Sequence, residues 1–328
     1  MFRFELCAET EAHLPHYKGS TLRGAFGHRL KRLVCIRADL DCEACLVRPQ
    51  CAYTLVFETL PPEGVAAFRG QKYAPRPFIL EPPSDEKLYY RPGERLCFGL
   101  TLIGRAVDYL PYVIYALDRA GHHGLGRERG RFVLQSAYVI DAQGDERLIY
   151  DGREQRLAAG PFALDIEAFV RRRLAGFDFS GAGSAGVKLR FMTPVRIRVG
   201  GDLQGEADFS RLARSLLRRI WQLMLVHGGG PWQIDHRRLI ERAGAVRVVR
   251  SELRWLDWER YSHRQRTAMR LGGFVGEVVY GGPAEVLSEL LPLFILGELL
   301  HVGAGTTFGL GKYEVEPVEE ASGDAPVG

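Results

Sequence analysis

An α+β fold built of two similar halves is predicted by three observations. Short apolar strand-like runs alternate with longer helical patterns, the same order of elements occurs twice, and each half carries a glycine-rich turn between its second helix and its last strand. The order strand, helix, strands, helix, glycine turn, strand is that of a ferredoxin-like (RRM-like) βαββαβ unit, so the expected architecture is two such domains in tandem.

Each element has a local cause. A strand is predicted over 2–8 from its apolar run, and a helix over 19–34, where Leu22, Phe26, Leu30 and Leu33 share one face. The opposite face carries Arg23, His28, Lys31 and Arg32. A cysteine-rich loop over 35–51 is inserted next, then an apolar segment at 54–59 and a proline-rich stretch through Pro83. A strand over 95–103, a helix over 108–120, a glycine turn over 121–131 and a strand over 132–140 complete the first half. The second half repeats the order with a strand over 188–199, a helix over 208–226, a strand over 274–280 and a helix over 284–300. A glycine loop over 301–311 then leads into a last strand at 312–315. The domains are placed at 1–178 and 187–318, joined through 176–186, where Gly181-Ala182-Gly183-Ser184-Ala185-Gly186 has linker composition. The tail 319–328 reads as disordered.

The 328 residues, 46% of them hydrophobic, suffice for about two buried cores. No apolar run reaches the roughly 18 residues of a membrane span, and the chain opens as a strand instead of a signal peptide, so a cytoplasmic protein with no membrane partner is expected. Net charge is only +4, but just six of the 44 basic residues are lysine. Arginine favours bidentate phosphate contacts, although a GC-rich genome gives the same bias.

Cys35, Cys42, Cys45 and Cys51 fall within 17 residues in a loop poor in apolar side chains. Four thiolates at this spacing suit a structural zinc that clips the loop and takes no part in catalysis. An iron–sulfur cluster also takes four thiolates, but in a different run, and disulfides are disfavoured in a cytosolic chain.

Glycine at the density of His301-Val302-Gly303-Ala304-Gly305-Thr306-Thr307-Phe308-Gly309-Leu310-Gly311-Lys312 points to a loop whose amides approach a phosphate backbone. Gly303, Gly305, Thr306, Gly309, Gly311 and Lys312 are therefore candidate contacts. Residues 247–270 interleave seven arginines, Arg260, Arg264 and Arg266 among them, with Trp255, Trp258 and Tyr261. This mix suits phosphates and stacked bases, while Trp255 and Trp258, spaced for a shared face or a turn, read by themselves more as core. Arg171-Arg172-Arg173 reads as a solvated helix face.

Several ordered stretches resemble the RAMP superfamily of CRISPR-associated proteins, and within it the Cas6 family of pre-crRNA-processing endoribonucleases. They are Gly19-Ser20-Thr21-Leu22-Arg23-Gly24-Ala25-Phe26-Gly27-His28, the cysteine loop, Phe191-Met192-Thr193-Pro194, the stretches Arg260-Tyr261-Ser262 and Leu271-Gly272-Gly273-Phe274-Val275-Gly276, and the terminal loop. Ala304 departs from the pattern, which often has a basic residue there. The resemblance implies RNA binding and metal-independent cleavage of CRISPR repeat RNA, with attack of a 2′-hydroxyl on the adjacent phosphate leaving 2′,3′-cyclic phosphate and 5′-hydroxyl ends. Pre-crRNA is then the partner, with subunits of a CRISPR effector complex as further partners and no catalytic metal.

That chemistry needs a base, an acid and a cation, and histidine serves either proton role near neutral pH. His28 is the first candidate, because Arg23, Lys31 and Arg32 lie within two helical turns of it, and the resemblance also places the catalytic histidine in or near the first helix. His16 with Tyr17 is a second candidate, with Lys18 supplying charge, and His301 at the edge of the terminal loop is a third. Arg127 and Arg129 are candidate RNA contacts in the first glycine turn, where His122 and His123 read as loop residues. His227 reads as a helix cap and His263 as an RNA contact. Two other readings stand beside the nuclease: a non-catalytic RAMP subunit holding crRNA, and a nucleotide-binding enzyme, against which the helix-loop-strand order speaks.

Overall fold

A computed structural model describes the chain except residues 38–40, 180–182, 200–201, 204, 231, 258, 263–266, 271 and 319–328. The tail and the centre of the glycine-rich linker thus lie outside the described residues. The chain divides into two units. Met1–Phe169, Arg219–Gln233 and Thr306–Gly309 form the first, and Val170–Arg218, Ile234–Gly305 and Leu310–Gly328 the second. The division at Phe169/Val170 falls inside the helix Ile166–Leu174.

In the first unit β1 (Phe2–Ala8) pairs antiparallel with both β3 (Arg95–Leu102) and β4 (Phe132–Ile140), and β2 (Phe78–Glu81) flanks β3. Two further strands, β5 (Glu146–Asp151) and β6 (Arg156–Leu157), extend the sheet to the order β2-β3-β1-β4-β5-β6. The four core strands have ferredoxin-like order. Alternating residues of β1 face the core, where Phe4 stacks on Phe98 with ring centroids 5.5 Å apart. Helix α1 (Gly19–Val34) buries Leu22, Phe26 and Leu30, and Phe26 meets Phe57 of the short helix α2 (Ala52–Phe57) and Phe78 of β2.

Helix α3 (Leu110–His123) starts late and ends late relative to the expected 108–120. A 3₁₀ turn, Gly104–Tyr109, precedes it, and Pro111 sits in its first turn, where its missing N–H costs nothing. At the other end the helix continues through Gly121, whose absent side chain lets α3 press on β4: a Cβ there would lie 2.4 Å from the Phe132 carbonyl oxygen. Gly124, at φ 95°, ends the helix, so His122 and His123 are helical residues and not loop residues.

After α4 (Ile166–Leu174), the second unit builds the sheet β8-β9-β7-β10 from β7 (Ser184–Val195), β8 (Arg247–Leu256), β9 (Gly273–Pro283) and β10 (Tyr313–Pro317), the same core order again. Phe191 of β7 packs against Phe274 and Tyr313 at 5.1 and 5.9 Å. The remaining α-helices are α5 (Phe209–His227), α6 (His236–Ala243) and α7 (Ala284–Leu300), and a short strand pair joins Glu259–Ser262 to Thr267–Arg270. The arginine-rich segment expected as an RNA contact is in part an edge strand, β8, and its Trp255 is 44% exposed, which removes it from the core. Among the described residues no helix is long and apolar enough to cross a membrane.

Candidate functional site

His28 stands on the solvent face of α1, in line with Gly24 and Arg32 at helical spacing. A side chain at Gly24 would meet nothing within 4 Å, so the surface one turn before His28 is open. Helix α1 packs along α3, and at the end of α3 the exposed His123 comes within electrostatic range of His28. Arg29 and Arg32 of α1, Arg119 of α3 and Arg129 of the glycine turn complete a cluster of cations. Arg129 adopts φ 55°, an uncommon conformation outside glycine, in a turn closed by pairing of Leu125 with Gly130.

The electrostatics follow from this crowding. Partial burial lowers the His28 pKa, and Arg29 and Arg32 lower it further. Burial also lowers that of His123, together with Arg29, Arg129, His28 and Arg32. Arg29 is itself pulled down by burial and by Arg32, Arg119 and Arg129. Its Nη2 is buried and finds no hydrogen-bond partner among the described residues. Such a cluster is unfavourable by itself and becomes favourable around an anion. Two neutral imidazoles beside several guanidinium groups have the composition needed for proton transfer at a phosphate.

The other expected catalytic residues lie elsewhere. His16 is exposed, with Nε2 3.3 Å from Glu86 Oε1. Tyr17 donates its hydroxyl to the Phe308 carbonyl, and burial raises its pKa well above the usual phenol value. Lys18 is 1% exposed and its Nζ donates to the carbonyl and carboxylate of Asp85, so it does not face solvent. Arg23 donates to Thr307 Oγ1 at 3.1 Å and lies over the Phe308 ring, which anchors 306–309 instead of presenting a free guanidinium. His301 is fully buried at φ 55°, with Nδ1 3.1 Å from the Leu310 carbonyl oxygen. It caps α7 and is closed to an RNA.

The terminal loop is likewise tied down. The amides of Val302, Ala304, Gly309, Leu310 and Gly311 all donate to protein carbonyls, so they do not converge on a phosphate. Its glycines answer close packing: a Cβ would lie 2.6 Å from the Arg196 carbonyl oxygen at Gly303, 2.8 Å from Leu310 Cδ1 at Gly305, and 1.9 Å from the Val302 carbonyl oxygen at Gly311. Gly309 fits against Leu80 and Pro82, and Thr306 is buried. Lys312 is half-buried, its amide bonded to Thr193 Oγ1 at 2.8 Å. Arg127 is exposed in the first glycine turn. Arg260 pairs through its backbone with Met269, its side chain lying outside the described residues together with Arg264, Arg266 and His263.

Cys35, Cys42, Cys45 and Cys51 line one cavity, shared with Lys31 and Arg48, and all four are free thiols. Burial and the Glu58 carboxylate raise the Cys42 pKa, which favours the thiol over the thiolate that a metal requires. Among the described residues no group of three or more His, Cys, Asp or Glu is placed to hold a metal ion. The expected zinc site is therefore not supported. Lys31 faces this cavity and the Tyr53 ring, 5.5 Å away.

His123, Arg29 and Arg119 join this cluster although sequence reasoning did not place them among the candidates. Arg119 and His123 are four apart, which is a legible signal once the helix is continued through Gly121.

Residues 189–313 match the family model of the CRISPR-associated endoribonuclease Cas6, and residues 1–162 match the N-terminal domain model AF_1859_N. An uncharacterized protein of Archaeoglobus fulgidus is 24% identical over 92% of this chain and 93% of its own length. Among solved structures, a Cas6 product complex aligns over 96% of this chain and 98% of its own, with TM-score 0.54 and 19% identity. Thermus thermophilus Cas6 aligns over 96% of both chains, with TM-score 0.51 and 18% identity. A partial Cas6-RT-Cas1–Cas2 complex covers all of this chain but 47% of that one, at TM-score 0.55 and 13% identity. The C-terminal part of the chain thus matches the Cas6 family model, and the whole chain shares the tandem ferredoxin-like fold of these solved Cas6 structures.

Proposed function

We propose that the chain binds CRISPR repeat RNA and cleaves pre-crRNA at the His28–His123 cluster. The observation that carries the reading is the convergence of these two imidazoles with Arg29, Arg32, Arg119 and Arg129. One imidazole, neutral because its pKa is lowered, takes the proton of a 2′-hydroxyl as that oxygen bonds to the adjacent phosphorus. The other, protonated once the phosphate offsets the arginines, gives its proton to the leaving 5′-oxygen. The P–O5′ bond breaks, leaving 2′,3′-cyclic phosphate and 5′-hydroxyl ends, while the guanidinium groups stabilise the charge on the phosphorane. Partners of the kind present in the Cas6-RT-Cas1–Cas2 complex belong to the same reading.

Purified protein incubated with its repeat RNA in EDTA is expected to make one specific cut with a cyclic phosphate end, scored by gel and by end-group mass. Tight binding without a cut removes the nuclease and leaves an RNA-holding subunit.

The pH dependence has a definite sign. Both histidine pKa values are lowered in the free protein, so the limb on which kcat/KM falls as the base protonates lies below the ordinary imidazole value of about 6.5. On the other side it falls as the acid loses its proton, which places the optimum of kcat/KM on the acid side of neutrality. Added salt screens the arginines and moves both limbs up toward about 6.5. A profile flat between about pH 5 and 8 excludes histidine in either role.

A further inference from the structure

Helix α3 carries two exposed tyrosines that no step of the proposed cleavage uses. Tyr112 and Tyr115 are 47% and 51% exposed. At spacings of three, four and four, Tyr112, Tyr115, Arg119 and His123 lie on one face, and each of them is exposed. The buried residues Val113, Ile114, Ala116, Leu117 and Ala120 occupy the opposite side of the helix. From Tyr112 to His123 the stripe is about 16 Å long at 1.5 Å per residue.

We infer that this stripe is a track for single-stranded RNA leading into the histidine cluster, with unpaired bases stacked on Tyr112 and Tyr115. It rests on the RNA-binding half of the proposed function. Two half-exposed aromatic rings one turn apart offer faces on which bases can stack, and the half-buried Tyr109 lies beside Tyr112 at a ring-centroid distance of 6.1 Å. The charge beside them names the occupant. Arg119 follows Tyr115 by one turn on the same face and stands within electrostatic range of Arg29, so the rings adjoin a cationic cluster that demands a polyanion. The acid of this helix end, Asp118, is buried and taken up by His122, with Nε2 3.4 Å from Oδ1. Aromatic rings alternating with arginine suit a single strand, whose bases are free to stack, and not a duplex, whose bases are already stacked.

The probe is an oligouridylate single strand of about ten nucleotides, compared with a blunt RNA duplex of equal length. Tyr112→Ser combined with Tyr115→Ser is expected to weaken single-strand binding by about tenfold or more, with much less effect on the duplex. Tyr112→Phe with Tyr115→Phe is expected to bind as the parent does, because the ring and not the hydroxyl stacks. Arg119→Ala is expected to lower the slope of log affinity against log salt by about 0.7, whereas the tyrosine changes leave that slope in place. Unchanged single-strand affinity in the serine variant overturns the track, as does an equal loss for strand and duplex. A dimer that the serine changes dissolve and RNA does not affect also overturns it, since a second copy of the chain then covers this face. Cleavage of repeat RNA by the parent protein is scored separately: a protein that cuts but shows no tyrosine effect loses only the track, and one that shows the effect but does not cut loses only the nuclease.

Discussion

His28→Ala and His123→Ala are each expected to lower the single-turnover cleavage rate of repeat RNA by about 10²–10⁴-fold, the usual contribution of a positioned acid or base. Affinity for the RNA changes little, because the surrounding arginines and not the imidazoles supply most of the attraction to phosphate. The double variant is expected to lose far less than the product of the two single effects, since base and acid act on one phosphate in one step. Rates measured at saturating protein, with affinity measured in parallel, separate the outcomes. An unchanged rate for His123→Ala with an inactive His28→Ala reduces the pair to one histidine, and unchanged rates for both place the chemistry outside this cluster.

Gly311→Val is expected to act through stability instead of RNA contact. Gly311 has φ 76°, and an added Cβ would lie 1.9 Å from the Val302 carbonyl oxygen. A β-branched residue in this conformation costs about 1–3 kcal/mol before any collision, and the collision adds to it. The Gly311 backbone makes two hydrogen bonds, accepting from Val302 N at 2.9 Å and donating its own N–H to the Pro194 carbonyl at 3.0 Å. Shifting the chain to relieve the clash therefore breaks the hold on β7. A fall in urea midpoint of the second unit, with RNA binding lost only where the unit has unfolded, is the expected result. Full stability with weakened RNA binding would restore the loop as a phosphate cradle.

The two histidines differ in how directly their placement was legible. His28 was accessible to sequence reasoning because one helix face suffices to place it among Arg32 and its neighbours. His123 was not, because Gly121, His122 and His123 are poor helix formers that read as a turn, and the helix persists through them only because Gly121 packs against β4. Lys18, Tyr17, Arg23 and His301 have the composition of a site but are held by Asp85, by Phe308, by Thr307 and by the Leu310 carbonyl. Their partners are distant in sequence in most cases, and nothing local distinguishes a buried lysine from a solvated one.

Read alone, the sequence determined the tandem βαββαβ order, the duplicated glycine turns and the position of His28 on the polar face of the first helix, because strand and helix periodicities and glycine placement are local properties of the chain. Only the tertiary structure decided that the terminal glycines serve close packing, that the four cysteines share a cavity without a metal-holding arrangement, and that a second histidine meets the first. Those are matters of which distant groups come within a few ångströms of one another. That depends on how α1, α3 and the sheet pack, and packing is settled by the whole core at once.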